Sequence, residues 1–189
     1  MEPRILCYGD SNTWGFDPRS WCGGRYASPW PELLAKETGW EVLNCGQNGR
    51  SIPDREYEYA QFRGLERWER PDALLVMLGT NDLLCGDSAE TAAKRMESFL
   101  TQSVTPRLLL IAPPPLQRGA WVPEDGLVSA SRELAARYRE LAARLGLGFA
   151  DAGAWGVGLA FDGVHFTEAG HARFAEGVAA AVREFVLSR

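Results

Sequence analysis

The stretch Ala73-Leu74-Leu75-Val76-Met77-Leu78 is apolar at every position. A strand with one wet face alternates polar and apolar residues. An unbroken apolar run of this length fits a strand covered on both faces, as in a parallel sheet. Shorter, mostly apolar runs bounded by polar residues occupy residues 4–8, 41–45, 107–111 and 148–151. Between them lie segments with helical spacing, at 31–38, 54–69, 88–103 and 129–145, and another begins at Thr167. Several carry end signals: Pro31 near a start and Gly39 just past an end, Ser88 as an N-cap, and Gly146 after Leu134, Tyr138, Leu141 and Leu145. Glu90 and Lys94 sit four apart on an exposed face, and Phe174, Val178, Val182 and Phe185 form the apolar face of the last helix. Five alternations of strand and helix predict an α/β chain with a parallel sheet and helices on both sides. With 189 residues and no linker, residues 1–189 are expected to form one domain.

All strands of a parallel sheet end on the same side, so the loops after them meet there, and ligands bind at such edges. Gly9-Asp10-Ser11 follows the first strand, Gly46-Gln47-Asn48-Gly49-Arg50-Ser51 the second and Gly79-Thr80-Asn81-Asp82 the third. The loop after the fifth carries Asp162-Gly163-Val164-His165. Acyl transfer needs a nucleophile, a base held by a third group, and donors for the developing oxyanion. Ser11 supplies a hydroxyl, His165 a base, and Asp162 a carboxylate to fix the imidazole tautomer. The backbone N–H groups of Ser11 and Gly49 and the side-chain amide of Asn81 are the candidate oxyanion donors, with Gly46 competing for the second place. Other readings stay open. Ser11 is also a good helix cap, and Asn81 a good turn residue. A flavodoxin-like module would cradle FMN or phosphate in the Gly9–Thr13 turn and leave Asp162 and His165 incidental. His171 reads as structural, Asp10 and Asp82 as turn ties, and Arg50 as a solvated charge or a contact for an anionic substrate group.

A net charge of −5 argues against a nucleic-acid partner, because phosphate binding needs a basic patch. No apolar run approaches the roughly 20 residues of a membrane span, and no secretory signal opens the chain, so the expected location is cytoplasmic. Cys7, Cys22, Cys45 and Cys85 form no Cys-x-x-Cys pair; Cys7 and Cys45 read as buried filler. Residues 12–30 read as a loop packed by its own rings. With the proline-rich loop 112–126, this loop is expected to wall a confined pocket using Trp14, Phe16, Trp21 and Trp121, beside Asn12. Aromatic surface loops also make a homo-oligomer an expectation.

Gly9-Asp10-Ser11, Gly49, Gly79-Thr80-Asn81-Asp82 and Asp162-Gly163-Val164-His165 resemble the four ordered blocks of the SGNH hydrolases, also called the GDSL esterase/lipase family. The resemblance implies a three-layer α/β/α, flavodoxin-like fold with a five-stranded parallel sheet. It also implies hydrolysis of a small ester through an acyl-serine, without cofactor or metal. It assigns Ser11 as nucleophile, His165 as base and Asp162 as its partner, with Ser11, Gly49 and Asn81 as oxyanion hole. Apart from the resemblance, Asn12, Trp14, Phe16 and Trp121 are the residues expected to face substrate. Gly-Asp-Ser-Asn-Thr-Trp-Gly looks most like small arylesterases and acyltransferases, which implies short acyl groups. Deacetylation of a sugar is the second expectation within this class. Asn12 stands where the family name has leucine.

Overall fold

The computed structural model describes residues 2–20 and 23–187. Trp21 and Cys22, expected in the aromatic loop, lie outside the described residues. The elements in chain order are β1 (Arg4–Gly9), α1 (Ser11–Trp14), β2 (Phe16–Asp17), β3 (Gly24–Arg25), α2 (Trp30–Thr38), β4 (Glu41–Gly46), α3 (Glu56–Glu69), β5 (Ala73–Met77), α4 (Thr80–Leu84), α5 (Ala89–Leu100), β6 (Leu108–Ala112), α6 (Asp125–Leu145), β7 (Gly148–Asp151) and α7 (Glu168–Leu187). Five strands form a parallel sheet in the order β4-β1-β5-β6-β7. The sheet has the expected composition of strands, with helices on both faces.

Strand periodicity sorts the core into two layers. Leu6, Tyr8, Leu74, Val76, Leu108 and Leu110 face α3, α5 and α6, where Phe62, Met96, Phe99, Leu134 and Tyr138 are buried against them. Ile5, Cys7, Leu75, Met77, Leu109 and Ile111 face α2 and α7, meeting Trp30, Leu34, Phe174, Val178 and Val182. Both faces of the middle strands are thus dry, which is why β5 carries no polar residue.

Local signals behave as expected at several ends. Ser88 Oγ accepts the Thr91 N–H at 3.1 Å, and Gly39 and Gly146 close α2 and α6 in the left-handed conformation. The Glu90–Lys94 pair forms at 2.6 Å. Helix α6 starts four residues before the expected Ser129, with Asp125 in its first turn, where the helix dipole favours a carboxylate. The described residues of the 12–30 segment are more ordered than a loop. Asp10 accepts the Asn12 N–H to cap α1, Gly15 (φ 98°) ends it, and β2 and β3 pair antiparallel. Cys7 is buried and burial raises its thiol pKa, but Cys45 is only half-buried, because β4 is the edge strand. No helix among the described residues is long and apolar enough to cross a membrane.

Candidate active site

Ser11 is the first residue of α1, directly beyond the end of β1. The chain turns tightly there because the backbone is crowded. A Cβ on Gly9 would lie 2.0 Å from Thr13 Oγ1, and one on Gly46 would lie 2.1 Å from the Trp14 backbone nitrogen. Only glycine lets α1 sit this close to the ends of both β1 and β4.

Ser11 Oγ lies 3.0 Å from His165 Nε2, and His165 Nδ1 lies 2.7 Å from Asp162 Oδ2. All three residues are buried. The other Asp162 oxygen accepts the backbone N–H groups of Val164 at 2.9 Å and His165 at 3.0 Å. Burial acts to raise the Asp162 pKa, but the hydrogen bonds from the His165 ring and these two N–H groups outweigh it, and the carboxyl stays below its ordinary value. An ionised carboxylate only accepts, so His165 Nδ1 carries the proton. Nε2 is then an acceptor, and the Ser11 hydroxyl donates to it.

Asn12 was expected to face substrate; both ends of its side-chain amide instead bond the protein backbone. It is buried, donates from Nδ2 to the Val164 carbonyl at 3.1 Å, and accepts the Phe166 N–H through Oδ1 at 2.9 Å. The residue next to the nucleophile thereby grips the backbone on both sides of His165. This role had no sequence signal beyond adjacency to Ser11.

The loop 47–52 is held from below by α4. Asn81 Nδ2 donates to the Arg50 carbonyl at 2.9 Å, and Asp82 accepts the Ile52 N–H and, at 2.7 Å, an Arg95 N–H. Arg95 also bridges Asp87 and Asp54, so one guanidinium ties three carboxylates around this loop. Gly49 is exposed with φ 74° and open space around it. Gly46 instead packs under α1, which removes it from the competition for the oxyanion donor. Among the described residues, the backbone N–H groups of Ser11 and Gly49 have no protein acceptor.

Arg50 is neither a solvated charge nor a free anion site. It donates to the Gly9 carbonyl at 2.8 Å, to the Cys45 carbonyl and to Gln47 Oε1, and its guanidinium lies 4.0 Å from the centre of the Tyr8 ring. It clamps the ends of β1 and β4 together.

The aromatic wall differs from its expected membership. Phe16 and Trp121 both reach the imidazole, with ring centres 4.6 and 5.1 Å from that of His165. Trp14 does not join them; its ring has the Arg25 guanidinium over it, and its carbonyl accepts from Arg25 Nε at 2.7 Å. Trp121 arrives because the proline-rich loop docks on the His165 loop. The Trp121 N–H donates to the Asp162 carbonyl, the Ala120 N–H to the Phe161 carbonyl and the Gln117 N–H to the Gly163 carbonyl. Gly119 makes this possible, since a Cβ there would lie 2.4 Å from the Asp162 carbonyl carbon. Phe161, with no sequence signal of its own, joins Trp121 as an exposed ring on this rim. His171 is buried away from this site, with Nδ1 accepting the Trp30 N–H at 3.3 Å between Tyr26 and Phe166.

The chain matches the family model described as GDSL-like Lipase/Acylhydrolase over residues 7–173. It is 26% identical to an acetylxylan esterase of Xylanibacter ruminicola over 95% of this chain and 43% of that protein, so it spans less than half the length of that relative. The aryl esterase of M. smegmatis superposes with a TM-score of 0.84 at 28% identity, covering 97% of this chain and 99% of that one. A carbohydrate acetylesterase family member from Sinorhizobium meliloti superposes with a TM-score of 0.85 at 29% identity, covering 98% and 99%.

Proposed function

The chain belongs to the GDSL-like lipase/acylhydrolase family, and from that premise and the geometry above we propose that it is a serine esterase acting on short acyl esters. The observation that carries the reading is the continuous relay from the Ser11 hydroxyl through His165 to Asp162 at 3.0 and 2.7 Å. In this reading His165 Nε2 takes the hydroxyl proton as Ser11 Oγ attacks the ester carbonyl. The same proton passes to the leaving alkoxide when the tetrahedral intermediate collapses. Asp162 holds Nδ1–H and favours the transient imidazolium. The free N–H groups of Ser11 and Gly49 and the second Asn81 amide hydrogen are the proposed oxyanion donors, each worth about 3 kcal/mol to the transition state. Water then attacks the acyl-serine by the same relay, run in reverse. An alcohol entering in place of water would make the product an ester, which is the acyl-transfer branch of the same chemistry.

The short-acyl preference is supported by Phe16 and Trp121, whose ring centres lie 4.6 and 5.1 Å from that of the imidazole. Free thiols at Cys7, Cys45 and Cys85 fit work in a reducing compartment such as the cytoplasm. The test is turnover of p-nitrophenyl esters of increasing acyl length. Acetate is expected to be fastest, with turnover lost in Ser11→Ala; a preference for long chains would overturn the short-acyl reading, and full activity of Ser11→Ala would overturn the mechanism.

A further inference from the structure

The proposed oxyanion donors sit on three separate segments. Ser11 follows β1, Gly49 lies in the loop after β4, and Asn81 belongs to α4. Such donors work only if they converge on one point, about 2.7 to 3.1 Å from where the charge develops. Gly49 has the least local support of the three. It is exposed, takes φ 74° and has open space around it. Something beyond the glycine itself must fix its N–H against the other two.

Arg50 reaches all three segments, each through a different group. Its backbone N–H donates to the Gln47 carbonyl at 3.2 Å and closes the turn that holds Gly49. Its carbonyl accepts the Asn81 side-chain amide at 2.9 Å. Its guanidinium donates to the Gly9 carbonyl at 2.8 Å, two residues before Ser11, and to the Cys45 carbonyl near the end of β4. The Gly9 carbonyl also accepts the Gln47 N–H at 3.1 Å, so one oxygen beside the nucleophile carries both ends of the turn. The guanidinium is braced as well: it lies 4.0 Å from the centre of the Tyr8 ring, and Gln47 Oε1 accepts from it at 3.0 Å. Among the described residues, none of its hydrogen bonds goes to a carboxylate. A cation spent on neutral carbonyls and a ring face is placed for its planar fork rather than for an ion pair.

We propose that Arg50 is the positioning residue of the oxyanion hole. Its side chain sets the Gly49 N–H against the Ser11 N–H, and its carbonyl holds the Asn81 amide toward the same point. Arg50 touches no substrate and acts only through these donors. The role rests on the esterase reading above and adds what aligns the hole. Replacing the side chain leaves the backbone bonds to Gln47 and Asn81 in place but releases the guanidinium's hold on Gly9 and Cys45, so Gly49 drifts relative to Ser11.

The test measures Arg50→Met and Arg50→Lys with p-nitrophenyl acetate as substrate and methylboronic acid as inhibitor. Ser11 Oγ adds to boron, the hydroxyl proton passes to His165, and the tetrahedral anion left on the serine imitates the transition state, so its inhibition constant reports on the hole. For Arg50→Met the expected result is kcat lower by about tenfold to a hundredfold, KM within about twofold of native, and the inhibition constant raised by a factor similar to the loss in kcat. Arg50→Lys is expected to lose less, about threefold to tenfold, because an ammonium lacks the planar fork and does not lie flat on Tyr8. A clamp serving stability alone would lower the melting temperature and leave kcat and boronate inhibition native in the folded variant; that result overturns the proposal. A rise in KM at constant kcat overturns it too, since Arg50 would then touch substrate. Should Arg50→Met fail to fold, Arg50→Lys is judged by the same criteria. Lack of turnover by the native protein would instead overturn the esterase reading, and this role with it.

Discussion

The Asn12 side chain donates to the Val164 carbonyl at 3.1 Å across 152 residues of sequence, and accepts the Phe166 N–H at 2.9 Å. Its own backbone follows Ser11, so a single amide sets the distance between hydroxyl and imidazole. A displacement of about 1 Å at a reacting pair costs on the order of a hundredfold in rate. Asn12→Ala is therefore expected to lower kcat about tenfold to a hundredfold and leave KM nearly unchanged. Steady-state kinetics on p-nitrophenyl acetate check this; a rise in KM at constant kcat would mean that Asn12 touches substrate after all.

Asp162 acts on Ser11 only through His165. Asp162→Asn keeps the size of the side chain but replaces an acceptor-only group, so the imidazole is free to adopt the tautomer with Nε2 protonated. The expected loss in kcat is on the order of 10⁴-fold. Steady-state kinetics on p-nitrophenyl acetate check this; a variant that keeps the native kcat would show that Asp162 does not set the tautomer of His165.

Two buried groups that are not members of the relay pull stability in opposite directions with pH. Burial pushes the Asp10 carboxyl up to about 6 and holds His171 down to about 4. His171 favours the fold above its ordinary value of 6.5 and loses that contribution as pH falls toward 4, by about 3 kcal/mol in all. Asp10 behaves the other way: its contribution is greatest below 3.8 and is lost as pH rises through 6, again by about 3 kcal/mol. Asp10→Asn, which still accepts the Asn12 N–H, should thus gain on the native protein at pH 8 and lose that gain by pH 4. His171→Asn should show its largest deficit at pH 8 and a smaller one at pH 4.5. Thermal melts across this range decide both; parallel curves for native and variant would show that neither group is buried in its charged form's disfavour.

Gly46 and Gly49 separate a steric need from a conformational one. Alanine at 46 would place Cβ 2.1 Å from the Trp14 backbone nitrogen, where nothing can yield cheaply. Gly46→Ala is expected to cost about 3 kcal/mol or more. Alanine at 49 meets nothing within 4 Å and pays only for φ 74°, roughly 1 to 2 kcal/mol. Its N–H stays in place, so Gly49→Ala should fold and retain most activity. Urea denaturation ranks the two; the reverse order would contradict the packing of α1 on β4.

Much of the architecture was legible because its signals are local. An apolar run without alternation, a serine cap at 88 and glycines after Thr38 and Leu145 each state their own conformation, and the fold agrees with them. Asp162 and His165 are three residues apart, so their meeting was equally a local matter. The short helix at Ser11–Trp14 was hidden because its cap is a single aspartate inside a motif read for chemistry. Cys45 was misjudged because nothing in residues 41–45 says that their strand lies at the sheet edge.

The partners of long side chains were beyond sequence reading for a different reason. Arg50 is a clamp rather than a free charge because the ends of β1 and β4 converge on it. Trp121 meets His165, and Trp14 meets Arg25, because of which loops dock together. The sequence by itself determined the alternation of strands and helices, the edge at which the loops gather and the kinds of group they carry, since hydropathy, capping and backbone freedom act over a few residues. Only the tertiary structure decided that Ser11 and His165, 154 residues apart, stand at 3.0 Å and that Asn12 holds them there, because such contacts depend on closing long loops against a packed sheet, and no local preference encodes them.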